Sequence, residues 1–322
     1  MAIIKGIKVG TTEITSSYTN GSTQSDSKEL TVTSVSFQEV SGTISRPSDS
    51  VYTGSPITPT PAVTVVLDGV TTTLVQGTDY TLSYSNNTNA GTATVTATGK
   101  GNYTGTLSET WTIDSASITV QADDQSYAYD GNQHGRAITA TSVNNQTVTI
   151  RYRTTSSGEY NLTSTPQIRN VGEISSGIVY FKVTAPNHSD YTGSYQLVIN
   201  PLTAILVWGE STWTYDGNQH STTCNVSNLV NGDSCTVTLS GNSITNIGQT
   251  TVTVIGLSNT NYTLVGATNT SITLTVLAGM FVKISGIWTP VKQAYKKIGG
   301  VWTLQKEISS VFDTSKMYMK KN

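Results

Sequence analysis

The chain is 322 residues long, with a formal net charge of −2; only 12% of its residues are charged, against 36% hydrophobic. So little charge excludes a disordered polyelectrolyte, and the near-neutral balance excludes a chain held to nucleic acid by overall basicity. The length exceeds one ordinary domain and predicts roughly two to four. At the start, Met1-Ala2-Ile3-Ile4-Lys5-Gly6-Ile7-Lys8 has neither the apolar core nor the small-residue cleavage site of a secretory signal peptide. No stretch reaches the ~18 consecutive apolar residues of a membrane-spanning helix. The expectation is a chain that works inside the cell that makes it, or leaves by a route other than signal-directed secretion, such as a virus particle released by lysis. Within residues 1–42, two strand-like pieces (3–9 and 29–37) flank a polar stretch, 16–28, that reads as a loop or flexible arm. This segment is too short for a domain and is expected to add strands to a partner or to the first domain of the chain.

Beyond residue 42 the sequence repeats. Three segments open on a tyrosine-glycine turn: Tyr52-Thr53-Gly54, Tyr129-Asp130-Gly131-Asn132-Gln133-His134 and Tyr215-Asp216-Gly217-Asn218-Gln219-His220. Each continues to an Asn-apolar-Gly turn: Asn89-Ala90-Gly91, Asn170-Val171-Gly172 and Asn246-Ile247-Gly248. Each then reaches an aromatic turn, Asn102-Tyr103-Thr104, Asp190-Tyr191-Thr192 and Asn261-Tyr262-Thr263, and closes on an alternating strand ending near Ile113, Ile199 and Val276. The openings lie 77 and then 86 residues apart, too long for a solenoid unit and right for a small sandwich. Stretches such as Thr92-Ala93-Thr94-Val95-Thr96-Ala97 alternate with a period of two, which puts one face in a core and a threonine-covered face in water. No run has helical periodicity. The predicted architecture is all-β: 1–42 an attachment segment, three tandem sandwich modules at 43–115, 116–201 and 202–278, and a C-terminal region at 279–322.

The Tyr-Asp-Gly-Asn-Gln-His openings and the Asn-Tyr-Thr turns resemble the tandem bacterial immunoglobulin-like modules of the MBG/YDG type, over roughly residues 43–277. The resemblance implies an immunoglobulin-like β-sandwich for each module. It says little of function, since such modules act as spacers or adhesive units in bacterial surface proteins and phage structural proteins.

The C-terminal region differs. Residues 279–322 hold eight lysines against Glu307 and Asp313, a net +6 that leaves −8 on the rest of the chain. Phe281-Val282-Lys283-Ile284-Ser285-Gly286-Ile287-Trp288 recurs 14 residues later as Tyr295-Lys296-Lys297-Ile298-Gly299-Gly300-Val301-Trp302, and each copy reads as a hairpin across a glycine turn. The motif is similar to short hairpin repeats near the ends of phage tail and tail-tip proteins. That similarity, with the missing leader, implies a virion protein.

Candidate chemistry is sparse. Of the three histidines, His134 and His220 repeat with their modules while the first module has no counterpart, and neither they nor His188 has a catalytic partner at a telling spacing. Asp123, Asp124, Asp130 and Asp216 could serve a calcium ion, yet no Asp-x-Asp-x-Asp-Gly loop is present and polar turns are the better reading. Gly99-Lys100-Gly101 and Ile298-Gly299-Gly300 do not join a strand to a helix, so they are not phosphate cradles. Cys224 and Cys235 fit small buried hydrophobes or a bridge between neighbouring strands. Tyr103, Tyr191 and Tyr262 recur at turns as packing anchors, with glycan contact as the functional alternative. In the basic tail, Phe281, Lys283, Trp288, Tyr295, Lys296, Lys297 and Trp302 are candidates for docking onto an acidic subunit, with lysines on the face opposite the aromatics; docking is preferred over stacking on nucleic acid.

The sequence therefore predicts a non-enzymatic structural component of a bacteriophage virion, tail-associated and assembled in the host cytoplasm, without catalytic residues, metal or cofactor. Its expected partners are other virion proteins, a host surface polysaccharide bound weakly, and a second copy of itself, with no nucleic acid and no membrane insertion. A capsid-decorating or head-fibre protein and a bacterial surface adhesin are the alternatives.

Overall fold

The computed structural model describes residues 10–19, 23–230, 232–279, 281–284, 286–290 and 295–304, so the strand expected over 3–9 lies outside the described residues. The chain is all-β: its helical content among the described residues is one 3₁₀ turn, Val143–Asn145. The reason is visible in the first module. Gly91–Gly99 and Thr106–Asp114 pair antiparallel, burying Ala93, Val95, Ala97, Trp111 and Ile113 while the intervening threonines face outward. Four strands lie in the order Ser50–Val51, Thr106–Asp114, Gly91–Gly99, Tyr80–Ser85, and Thr43–Ile44, Val63–Leu67 and Val70–Thr73 form a second sheet. Ile44, Val63 and Val65 from the second sheet share one core with Val95, Trp111 and Ile113 from the first, which makes the module a sandwich. Trp111 anchors it, fully buried with Tyr84 set edge-on 6.4 Å away. The same core includes Phe37 and Val40, so the module takes in residues before 43.

The third module follows the same plan. Thr212–Thr214, Ser271–Leu277, Gly248–Leu257 and Val237–Ser240 form its four-stranded sheet, and Leu206–Trp208 pairs with Cys224–Val226 in a smaller one. Leu206, Val226, Val252, Val254, Leu274 and Val276 are buried at alternate positions. Cys224 is buried beside them, as the buried-hydrophobe alternative has it, while Cys235 is only half-buried; both are free thiols, so no bridge joins them. By compactness the chain divides into two units, Met1–Gln125, Gly135–Gln167 and Ile174–Leu197 against Ser126–His134, Ile168–Glu173 and Val198–Asn322. The division runs through the second module, where Thr149–Arg153, Ile178–Thr184 and Tyr191–Asn200 form a ladder whose middle strand alternates buried and half-buried residues.

The flanks correct one expectation and refine another. The described residues of the stretch 16–28 are strand and not loop: Gly10–Thr19 and Thr23–Val32 pair along their whole length as an antiparallel hairpin. Thr and Tyr favour strands without any apolar alternation, and Asn20-Gly21 is a hairpin-turn pair in the sequence. At the other end, Phe281–Ile284 pairs with Ile287–Pro290 and Tyr295–Ile298 with Val301–Leu304, as expected. The register pairs Lys283 with Trp288 and Lys297 with Trp302.

Candidate functional site

Among the described residues the repeated motifs converge on the ends of the modules. In unit 1, the Asn89-Ala90-Gly91 turn of module 1 meets Asn187 of module 2. The Ala90 amide donates to Asn187 Oδ1 (3.1 Å), and Asn187 Nδ2 donates back to Asn89 Oδ1 (3.2 Å). In unit 2, the equivalent turn of module 2 meets Asn261 of module 3: the Val171 amide donates to Asn261 Oδ1 and Asn261 Nδ2 to Asn170 Oδ1, both at 2.9 Å. One asparagine amide thus answers one turn through both its donor and its acceptor, twice along the chain.

The residue after that asparagine supplies an aromatic ring to the tyrosine that opens the preceding module. Tyr52 meets His188 edge-on at 5.6 Å and 73°, and Tyr129 meets Tyr262 at 5.7 Å and 75°. Both opening tyrosines are only 4% exposed. A valine amide holds each receiving ring: Val143 N–H donates to His188 Nε2 (2.9 Å) and Val230 N–H to the Tyr262 hydroxyl (2.7 Å). Val143 also packs on the core of module 1. His188 Nδ1 lies 2.7 Å from the Pro186 carbonyl, so the network places the ring proton on Nδ1. In unit 2 a carboxylate completes the arrangement, as the Tyr129 and Tyr262 hydroxyls both donate to Asp233 Oδ2, at 2.6 and 3.0 Å. Burial, then the Asp233 carboxylate, push the Tyr129 phenol up to about 12; burial also raises Tyr262.

The opening turns are built to order those tyrosines. Asp130 Oδ1 accepts from the Asn132 amide and from His134 Nε2 (2.8 Å), and Asp216 does the same with Asn218 and His220 (3.0 Å). These hydrogen bonds, His134 first, hold the Asp130 carboxyl down at about 2. His134 stacks on Tyr127 and His220 on Trp213, so both histidines are turn struts. Module 1 uses Thr53 Oγ1 in place of the aspartate, accepting from the Ser55 amide. Of the other acids, Asp123 pairs with Arg136 and Asp124 accepts from the Gln196 amide (2.6 Å).

The sequence missed which residues are equivalent. Val35, Ala116 and Leu202 each donate their amide to the carbonyl of Asn102, Asn187 and Asn261, so the counterpart of Tyr103 and Tyr262 in module 2 is His188, not Tyr191. The recurring Asn-aromatic pair was the available signal. Tyr262 is buried within the joint, Tyr103 is half-buried and stacked on Phe37 (5.9 Å), and Tyr191 is 41% exposed with its ring stacked on Phe181 (6.1 Å). Phe281, Lys283, Trp288, Tyr295, Lys296, Lys297 and Trp302 all fall on the four strands of the C-terminal hairpins.

The sequence matches no protein-family model and no curated protein. Solved structures that align with the chain include Sidekick-1 immunoglobulin domains 1–5, at 11% identity over 81% of this chain and 70% of that one, with a TM-score of 0.24. The N-terminal four immunoglobulin domains of Dscam1 isoform 9.44 align at 11% identity over 79% and 77%, TM-score 0.26. Drosophila OTK extracellular domains 3–5 align at 10% identity over 74% and 97%, TM-score 0.24. The chain itself is all-β, with tandem β-sandwich modules.

Proposed function

We propose that the chain is a non-enzymatic structural component of a bacteriophage virion, associated with the tail, in which jointed sandwich modules act as a spacer and offer a Thr/Ser/Asn surface for weak contact with host glycans. The observation that carries the reading is the pair of C-terminal hairpins, Phe281–Pro290 and Tyr295–Leu304, which repeat one register, and whose sequence motif resembles the short repeats near the ends of phage tail proteins. The joints support a mechanical role, because their repeated chemistry is spent on holding one module to the next and leaves no nucleophile paired with a base among the described residues. The net +6 of residues 279–322 suits docking onto an acidic neighbour. The test is antibody labelling of purified particles, together with deletion of 279–322. Labelling at the tail, and truncated chains that fold but are absent from particles, are the expected results. Label on intact producer cells and none on particles would favour the adhesin, and truncated protein at normal copy number in particles would remove the docking role.

A further inference from the structure

The outward face of one sheet sets the second module apart. In module 1 the cross-strand pairs on that face are Thr81–Thr98, Ser83–Thr96 and Ser85–Thr94, and in module 3 they include Ser240–Thr253 and Thr251–Thr273. Module 2 runs its strands in the same order, yet its matching ladder reads Thr149–Thr184, Arg151–Lys182 and Arg153–Tyr180. Of the chain's 18 lysines and arginines, ten lie outside residues 279–322, and three of those ten stand at neighbouring positions here. Like charges directly opposite each other destabilise a sheet, so the Arg151–Lys182 pair opposes the fold that carries it.

Two of the three cations have no carboxylate partner among the described residues. Lys182 Nζ lies 2.7 Å from Asp190 Oδ2, and that hydrogen bond first, with the charge of Glu159 last, raises the ammonium's pKa. Arg151 is exposed and makes no ion pair among the described residues. Arg153 is held without being neutralised. Its guanidinium carbon is 4.5 Å from the Tyr160 ring centroid and 5.2 Å from that of Tyr180, and Nη1 donates to the Gly158 carbonyl (2.6 Å). An anion arriving there meets a guanidinium fork already ordered, which lowers the entropy lost on binding. Arg151 and Arg153 project on one face about 7 Å apart along the strand. Hydroxyls flank them, since the register continues from Lys182 to Thr192 and from Tyr180 to Ser194.

We infer that this face of module 2 binds an acidic polysaccharide, a sugar carboxylate taking the guanidinium groups of Arg151 and Arg153 while the sugar hydroxyls meet the flanking threonines and serine. Guanidinium groups pair with carboxylates through two parallel hydrogen bonds, which suits a uronic acid. Nucleic acid fits less well, because both tyrosine rings are engaged by Arg153 and a base would need a free aromatic face. The inference rests on the glycan contact proposed above, to which it gives a site and a charge; the virion location plays no part in it.

The test is a proton–nitrogen NMR titration of the full chain, following the arginine Nε–H signals as trigalacturonate is added to about 10 mM. Residues 279–322 contain no arginine, so the basic tail cannot produce the response. The Arg151 and Arg153 signals are expected to move and saturate, while neutral maltotriose leaves them in place. Arg151→Ser, which installs the kind of hydroxyl the other modules carry, should weaken the response at Arg153 at least about fivefold. Arg169→Ser, the same charge change at an exposed position elsewhere, should not alter it. Circular dichroism certifies the folds, and Arg151→Gln serves if Arg151→Ser changes the spectrum. Arginine signals that stay still, that move equally with maltotriose, that respond unchanged in the Arg151 variant, or that move further with a short oligodeoxynucleotide would each overturn the inference. Backbone amides in the same spectra separate the two readings. Amides that move with either sugar while the two arginines do not would leave the glycan contact standing without this site, and amides that never move would remove both.

Discussion

The two joints share their asparagine–turn exchange and differ in what holds the aromatic ring. In unit 1 the receiving ring is His188, pinned between the Pro186 carbonyl and the Val143 amide. In unit 2 it is Tyr262, tied with Tyr129 to the Asp233 carboxylate. The backbone contact is therefore the constant part of the design, and the ring chemistry is the part each joint is free to change. One consequence is that the unit 2 joint responds to alkali through two phenols sharing a carboxylate, whereas the unit 1 joint depends on steric fit, with Gly54 lying close against Asn144.

The largest expected effect is from Tyr129→Ala, which empties a buried ring position and should cost about 3–5 kcal/mol in denaturant unfolding. Next is Gly54→Ala. Gly54 has φ +81°, and an added Cβ would lie 2.4 Å from Asn144 Cβ, so the substitution meets both a left-handed backbone and a clash. Gly217, at φ +83°, has nothing within 4 Å. Gly217→Ala should cost about 1–2 kcal/mol from the backbone alone, and Gly54→Ala measurably more. If the two prove equal, the tight approach at the unit 1 joint is wrong.

Tyr129→Phe removes only a hydroxyl and should cost about 1–2 kcal/mol. Tyr52→Phe should stay within about 0.5 kcal/mol, since among the described residues Tyr52 meets its partner through the ring alone. The same pair sharpens the pH comparison. A phenol raised to about 12 when folded favours the neutral form, so its stabilisation is complete below about pH 10 and is lost as pH rises through 12. Absorbance titration should show a late-ionising phenol that Tyr129→Phe removes and Tyr52→Phe leaves. The smallest effect is acidic. Asp130 is held at about 2, so its contribution is present above about pH 4 and fades as pH falls towards 2. Asp130→Asn should flatten that slope slightly.

Much of the fold was legible because threonine and valine alternate so regularly that strand, face and core position follow from the period, as in Gly91–Gly99. The N-terminal hairpin was not, since its residues are polar on both faces and periodicity carries no signal there; Asn20-Gly21 was the cue. The joints were half legible. The Asn-apolar-Gly and Tyr-Gly turns stood out as repeats, but their partners did not, because hydrogen bonds between residues some 90 positions apart leave no local pattern. The nearby Tyr191, followed by Thr-Gly as Tyr103 is, drew the alignment off Asn187-His188, although the asparagine is what the joint needs.

The most direct measurement is a double-mutant cycle on the shared contact, Asn170→Ala and Asn261→Ala singly and together, read by denaturant unfolding of the full chain. If the amide exchange holds module 2 to module 3, the two changes should be coupled by about 1 kcal/mol. Effects that add to within about 0.3 kcal/mol would mean that the two asparagines do not hold one another, and the joint would lose its foundation.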